Sequence, residues 1–268
     1  MANWKRQIYG HPLLRIYRDW RSRQLAHDPR PTPYGFTFSG FDMYHSPSWE
    51  PCEREIVSSH LDGSQVLIDC GASHGYYSCM AAAAGLHVAA VEAEHSSFQV
   101  LLENIRRNGF TDCELFHVGI SGSMGTHALY SDGDMASLDH EWTDDSDKFQ
   151  QLVATNTLDN LFGDRWEGQQ IFIKIDVEGF EDKVLAGASR LLSRDVKPIW
   201  LIETFPQPPD STTFRFVFES MHRHGYYASV VDHDATPVND RDVERWSNDM
   251  SEPGRANSNF LFRSSTSD

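Results

Sequence analysis

The stretch from Ile171 to Leu185, which reads IFIKIDVEGFEDKVL, limits the possible folds more than any other part of this chain. Its apolar, β-branched start is typical of a buried parallel strand, and the glycine turn after it leads into a helical segment. Asp176 and Glu178 stand between the two. Because open α/β sheets bind ligands beyond the carboxyl ends of their strands, we expect both acids to face a pocket.

Strands and helices alternate from Gln65 onwards, which predicts a mainly parallel sheet with right-handed crossovers and helices on both faces. The predicted strands are 66–69, 87–91, 114–118, 171–175, 198–202, 226–231 and 259–263, and the predicted helices after the first strand are 76–84, 97–108, 182–192 and 214–224. We therefore predict an α/β, Rossmann-like domain with a seven-stranded sheet. Residues 119–160 interrupt this rhythm, and we expect short irregular polar segments there.

The start of the chain has a different character. Residues 1–30 contain seven Lys or Arg and two Asp, and apolar side chains recur on one helical face between Leu13 and Trp20. We predict a helical arm or lid over 1–48, with a β-hairpin or lid segment at 34–44, and one α/β domain over 49–268. The arm could bind a membrane surface or partner. We favour packing on the acidic body or across a homodimer.

Charge and cysteine content exclude several classes of function. The net charge of −16 opposes a broad nucleic-acid surface, which needs clustered Lys and Arg, and it fits solubility. The four cysteines form no CxxC pair, which argues against a zinc site and fits reduced thiols in a cytoplasmic enzyme. We identify neither a signal peptide nor an apolar run long enough to span a bilayer.

A second motif, LIDCGASHGYYS from Leu67 to Ser78, predicts a nucleotide site. Here a strand runs into Asp69, Gly71 and Gly75, and glycines at such a turn let backbone approach a ligand at a helix N-terminus. The D-x-G-x-x-x-G spacing departs from the G-x-G-x-x-G of dinucleotide enzymes. It matches the first motif of S-adenosylmethionine (SAM) methyltransferases. Glu92, 17 residues after Gly75, could accept both ribose hydroxyls or serve only as a charge at a helix start.

Over residues 50–205 the chain resembles the FkbM methyltransferase family. The segments that carry the resemblance are IDCGASHGYYS, VEAE, ENIRRNG, TNTLDNLF, IKIDVEGFE and WLIET. The resemblance implies a class I methyltransferase fold and O-methylation of hydroxyls on sugars, polyketides and other natural products, with SAM as donor and S-adenosylhomocysteine (SAH) as product. His74 stands where the family commonly has Asn, so the resemblance does not assign its side chain.

The resemblance also implies which residues form the site. Asp176, Glu178 and Glu203 would line the reacting end. The cofactor would contact Asp69, Cys70, Gly71, Ala72, His74, Gly75, Tyr76, Tyr77, Glu92, Ala93 and Asp176.

An alcohol acceptor must lose its proton, and two arrangements could assist. A histidine could act as base, with His140 the leading candidate and His45 and His233 the weaker ones. Alternatively, Asp176 and Glu203, at the ends of neighbouring strands, could hold Mg²⁺ against the acceptor oxygen. The two can coexist. In a plainer interpretation, Asp176 binds the SAM amino group or an acceptor hydroxyl, while Glu178 and Glu203 cap helices or pair with lysines.

We therefore expect a methyltransferase acting on a small-molecule or oligosaccharide hydroxyl. A sugar or glycan is our first expectation, and a polyketide or other secondary metabolite is the alternative. Two hypotheses from other classes are an NAD-linked oxidoreductase, against which the missing G-x-G-x-x-G argues, and a binding module that has lost catalysis.

Overall fold

The computed structural model describes residues 28–131, 136–138, 149–206, 212–248 and 258–264. The predicted arm helix and His140 lie outside these residues. The described part contains fourteen strands and eight helices. The strands are β1 (Arg30–Pro31), β2 (Thr37–Phe38), β3 (Val66–Cys70), β4 (His87–Glu92), β5 (Cys113–His117), β6 (Gly119–Ile120), β7 (Gly125–Ser131), β8 (Ala136–Ser137), β9 (Phe149–Asn156), β10 (Ile171–Ile175), β11 (Ile199–Glu203), β12 (Tyr226–Val230), β13 (Pro237–Val238) and β14 (Asn259–Ser264). The helices are α1 (Pro51–Leu61), α2 (Tyr76–Ala83), α3 (His95–Arg107), α4 (Leu158–Phe162), α5 (Glu181–Ala186), α6 (Ser189–Leu192), α7 (Thr212–Arg223) and α8 (Asp240–Asn248).

The main sheet has the order β13-β12-β14-β11-β10-β3-β4-β5. Strands β5, β4, β3, β10 and β11 are parallel, and β14 runs antiparallel between β11 and β12. The α/β prediction is confirmed, and all seven predicted strands belong to this sheet. The strand count was one short, because β13 adds an eighth strand of two residues, too short for any periodic signal.

Side-chain alternation along the strands creates an apolar core on each face of the sheet. Ile68 and Ile173 point into one core, where α4 to α8 pack, and Leu67 and Phe172 point into the other, against α1, α2 and α3. Helices therefore cover both faces, as predicted. Strands buried on both faces explain the nearly continuous apolar runs in the sequence.

The expectation of irregular segments over residues 119–160 was wrong. Strands β6, β9, β7 and β8 form a separate four-stranded sheet in that order. Leu129 and Val153 are buried, whereas Leu152 is 72% exposed. A sheet with one face in water carries polar residues at alternate positions, which is why its sequence lacks the apolar runs of the main sheet.

The predicted helix over residues 182–192 is broken at Gly187 into α5 and α6. A Cβ atom at Gly187 would lie 2.6 Å from the carbonyl oxygen of Ser121, so the chain passes too closely there for a side chain. Helix α8 was not predicted.

The N-terminal residues that the structure describes pack into the core between the main sheet and helices α1 to α3. Strands β1 and β2 form an antiparallel hairpin that begins before the predicted segment at 34–44, and a 3-10 turn follows at Asp42–His45. Phe36 and Phe38 are buried against Tyr76 of α2. No helix in the described ranges is long and apolar enough to cross a membrane.

Candidate active site

Four strands of the main sheet end in polar side chains that point to the same face. Asp69 on β3, Glu92 on β4, Lys174 on β10 and Glu203 on β11 lie in phase with apolar residues such as Leu67 of the α1–α3 core. They line a cavity of about 470 Å³ at the carboxyl ends of the strands. This volume lies in the roughly 300–1,000 Å³ range of small-molecule sites.

The turn after β3 explains both motif glycines. Gly71 has φ +79°, and a Cβ there would lie 1.7 Å from the carbonyl oxygen of Asp176, so only glycine fits. Gly75 has φ +83°, and its Cβ would meet Leu101 at 2.3 Å. Gly71 lines the cavity, whereas Gly75 allows close packing between the start of α2 and α3.

Glu92 is fixed by backbone groups at the edge of the cavity. The Ser73 N–H donates to Oε2 at 2.7 Å, and the Glu94 N–H donates to Oε1 at 2.6 Å. Burial raises the pKa of Glu92 to about 7, although both hydrogen bonds favour its charged form. Each oxygen keeps acceptor capacity, which suits a pair of ligand hydroxyls.

Asp69 lies deeper in the same wall. It is 1% exposed, and its Oδ2 accepts a hydrogen bond from the Ser78 hydroxyl at 2.6 Å. Its buried Oδ1 has no protein donor. Burial raises the pKa of Asp69. A buried carboxylate oxygen without a donor fits a ligand that brings an ammonium or hydroxyl hydrogen, and SAM has both.

The remaining predicted cofactor residues divide into two groups. Those that line the cavity are Ala72, Tyr76, Tyr77, Ala93 and Asp176. Cys70 and His74, like Gly75, do not line it. Cys70 points into the opposite core, because it is one residue out of phase with Asp69. His74 is buried against Phe41 with ring centroids 4.7 Å apart, and burial lowers its pKa to about 4. Their positions give no support to direct ligand contacts.

Lys174, Asp176 and Glu203 form the polar group at the reacting end. The Lys174 Nζ donates to Asp176 Oδ2 at 2.7 Å. Although burial opposes the charged ammonium, Asp176, Asp69 and Glu50 raise the Lys174 pKa. The Ser258 hydroxyl donates to Glu203 Oε1 at 3.0 Å. Burial, and then the charge of Asp176, raise the Glu203 pKa to about 9. These two causes favour the proton on Glu203, whereas Asp176 pairs with the Lys174 ammonium.

Glu178 also lines the cavity, and its backbone is left-handed with φ +54°. Its carbonyl accepts the Ser137 hydroxyl at 2.6 Å, which ties the turn after β10 to the small sheet. The prediction missed Glu181, a buried acid at the start of α5 whose Oε1 accepts the Gly179 N–H. Burial raises the Glu181 pKa to about 8.

Carboxylates rather than histidines line the cavity among the described residues, and the leading candidate His140 lies outside these residues. No histidine is among the described residues lining the cavity, and His233 instead lies 3.9 Å from the Cys52 sulfur. His45 packs beside Phe38, away from the cavity wall. In the part of the chain that the structure describes, no three or more His, Cys, Asp or Glu side chains form a metal-binding group. The described partner of the Asp176 carboxylate is the ammonium group of Lys174.

Residues 41–50, which overlap the predicted lid segment at 34–44, contribute another wall of the cavity. Phe41, Tyr44, Trp49 and Glu50 all line the cavity. The Tyr77 hydroxyl donates to Glu50 Oε2 at 2.6 Å. No periodic signal marks these residues, because they lie in a loop. The one sequence feature that could have indicated this wall is Glu50, the acid directly before Pro51 of α1.

The sequence model of the methyltransferase FkbM domain matches residues 69–227. The chain therefore belongs to the FkbM methyltransferase family, and its sheet is that of a class I methyltransferase. SAM is accordingly the methyl donor that the cavity has to accommodate. The oxidoreductase hypothesis was wrong.

Solved methyltransferase structures show a general likeness to the chain. A SAM-dependent methyltransferase from Agrobacterium tumefaciens is 12% identical, with 88% of this chain and 68% of that chain covered and a TM-score of 0.45. An O-methyltransferase from Bacillus cereus in complex with SAH is 11% identical, with 92% and 89% covered and a TM-score of 0.44. A precorrin-6y C5,15-methyltransferase from Geobacter metallireducens is 14% identical, with 66% and 72% covered and a TM-score of 0.40. At these scores, the likenesses say nothing about the acceptor. No curated protein sequence matches the chain.

Proposed function

We propose that the protein is a SAM-dependent O-methyltransferase that acts on a sugar or glycan hydroxyl. The proposal rests on one observation: a single cavity is lined both by acids suited to SAM and by acids suited to an acceptor alcohol. Asp69 and Glu92 offer acceptors for the polar groups of SAM, and Asp176 with Glu203 offers carboxyl groups for an acceptor alcohol. SAM would supply an electrophilic methyl group on its sulfonium sulfur.

The chain's own contribution is to orient the alcohol and receive its proton. Asp176 is the proposed proton acceptor, because it lines the cavity and pairs with the Lys174 ammonium. Protonated Glu203 is proposed to hold Asp176 or the alcohol by a hydrogen bond. Both side chains are fixed on adjacent strands, so the alcohol would meet a preorganised pair.

A sugar fits this wall because its hydroxyls can donate to several carboxylates while its apolar faces contact aromatic rings. Trp49, Tyr44 and Phe41 supply such rings at the cavity wall. A polyketide or other secondary-metabolite hydroxyl remains the alternative acceptor, since it could use the same rings without the carboxylates.

Turnover with labelled SAM tests this function. Purified protein would be incubated with methyl glycosides and glycans on one side and polyketide alcohols on the other, each with EDTA and with added Mg²⁺. We expect labelled O-methyl sugar at equal rates with EDTA and Mg²⁺. Label only on polyketide alcohols would favour the alternative acceptor. Label that requires Mg²⁺ would restore the metal hypothesis, and no label on any alcohol would favour the non-catalytic module.

A further inference from the structure

Residues 41–50 build a part of the cavity that the family match at 69–227 does not cover. The cofactor residues Asp69 and Glu92 lie within that match. Glu50 of this wall lies toward the reacting end, because its hydrogen-bond partner Tyr77 also contacts Lys174. The inference below rests on the proposed function, because it concerns the acceptor of that same site.

Glu50 is the one carboxylate among the described cavity-lining residues of this added wall, and a cavity residue holds it in place. The Tyr77 hydroxyl donates to its Oε2 at 2.6 Å, and α1 begins at the next residue. Its backbone is left-handed, with φ +41°, a conformation that non-glycine residues seldom adopt outside functional sites. Burial raises the pKa of Glu50, and Lys174 partly opposes this.

The cavity has an excess of negative charge. Its described lining contains one basic residue, Lys174, and seven acids: Glu50, Asp69, Glu92, Glu94, Asp176, Glu178 and Glu203. Burial raises the pKa of Glu50, Asp69, Glu92 and Glu203, and protonation of all four would still leave three acids against the single Lys174. The buried Asp69 Oδ1, which has no protein donor, fits a hydrogen of SAM, as described above. SAM brings a sulfonium, an ammonium and a carboxylate, and its single net positive charge leaves the wall negative.

Aromatic rings line the cavity beside Glu50. The Trp49 and Tyr44 ring centroids are 4.6 Å apart, and those of Trp49 and Tyr77 are 5.9 Å apart. Lys174 Nζ already lies 5.2 Å from the Tyr77 ring centroid. Aromatic faces attract cations, and a carboxylate beside them adds a charge-assisted hydrogen bond.

We infer that the acceptor carries an ammonium group, as an amino sugar does, and that Glu50 binds this group beside Trp49 and Tyr44. A hydroxyl of the same sugar receives the methyl group. An anionic acceptor such as a sugar phosphate is repelled by the wall.

A matched set of sugars tests the inference. Methyl glycosides of glucosamine, N-acetylglucosamine and glucose share a ring but differ in charge. Labelled methyl transfer would be measured for each, together with binding to the SAH-loaded protein by saturation-transfer NMR. We expect kcat/KM for the free amine to exceed that of the N-acetylated sugar by about tenfold, which is the effect of one charge-assisted hydrogen bond.

The preference should depend on Glu50. In Glu50→Gln, which keeps an acceptor for Tyr77, the amine advantage should fall below about threefold with an unchanged SAH Kd. The exposed Glu55→Gln, on helix α1, is the control and should keep the full advantage. Equal use of amine and N-acetyl sugars, or an undiminished advantage in Glu50→Gln, would overturn this inference alone. Failure to bind or methylate any sugar would overturn the proposed sugar acceptor and this inference together.

Discussion

At the scale of single residues, the site depends on how two adjacent carboxyl groups share charge. Asp176 and Glu203 extend from neighbouring parallel strands, so their charges would repel each other if both were ionised. Lys174 contacts Asp176, whereas burial and the charge of Asp176 raise the pKa of Glu203. The two residues therefore have different roles despite their similar chemistry.

This division predicts unequal effects of removing the two acids. Asp176→Asn should lower kcat by about 100-fold or more, the usual contribution of a general base. Glu203→Gln should lower kcat by less than about tenfold, because it replaces a neutral group by a neutral group. Single-turnover methyl transfer at neutral pH measures both, with the exposed Asp195→Asn as control. A larger loss in Glu203→Gln than in Asp176→Asn would reverse the assignment.

At the scale of elements, the sequence predicted the parts whose signal is local and periodic. Strands β3, β4, β10 and β11 were found because buried parallel strands form apolar runs. The juxtaposition of Asp176 and Glu203 followed from strand adjacency. The small sheet was missed because one face is exposed.

The part of the candidate site that escaped prediction depends on tertiary placement. Glu50 reaches the cavity through a loop, and Lys174 looked like part of an apolar run. Lys174 could have been found from its phase, since it alternates with Phe172 on the face that also carries Asp69. The lack of cavity contacts for Cys70 likewise follows from strand phase.

The turn after β3 gives a prediction at this scale. Gly71→Ala should destabilise the fold by at least about 2 kcal/mol, because a left-handed alanine is strained and its Cβ would overlap the Asp176 carbonyl. Urea unfolding monitored by circular dichroism measures the change. Gly63→Ala is the control, since its Cβ would meet no atom within 4 Å. Equal stability of both variants would show that the turn does not need glycine at position 71.

At the scale of the whole molecule, buried acids make stability depend on pH. Burial raises the pKa of Glu203 to about 9, that of Glu181 to about 8 and that of Glu92 to about 7. Each value lies above about 4.3, the ordinary value for glutamate. Between that value and these, the folded protein holds protons that the unfolded chain releases, so stability falls as pH rises.

The free energy of unfolding of the ligand-free protein should therefore decrease from about pH 7 to pH 9, above the range in which histidines with lowered pKa values, such as His74, act in the opposite direction. Urea titrations across this range measure it, and Glu181→Gln should flatten the slope because it removes one of the raised groups. A stability that rises over this range, or a slope unchanged in Glu181→Gln, would contradict these protonation states.

The central claim is that the cavity at the strand ends holds SAM. Calorimetric titration with SAH, comparing the wild-type protein with Asp69→Ala, Glu92→Ala and the exposed Glu55→Ala, tests it most directly. We expect micromolar binding, weakened about tenfold or more in the first two variants and unchanged in the third, because each of the first two loses hydrogen bonds to a charged group. Binding that is absent from the folded wild-type protein, or equal in all four proteins, would contradict the claim.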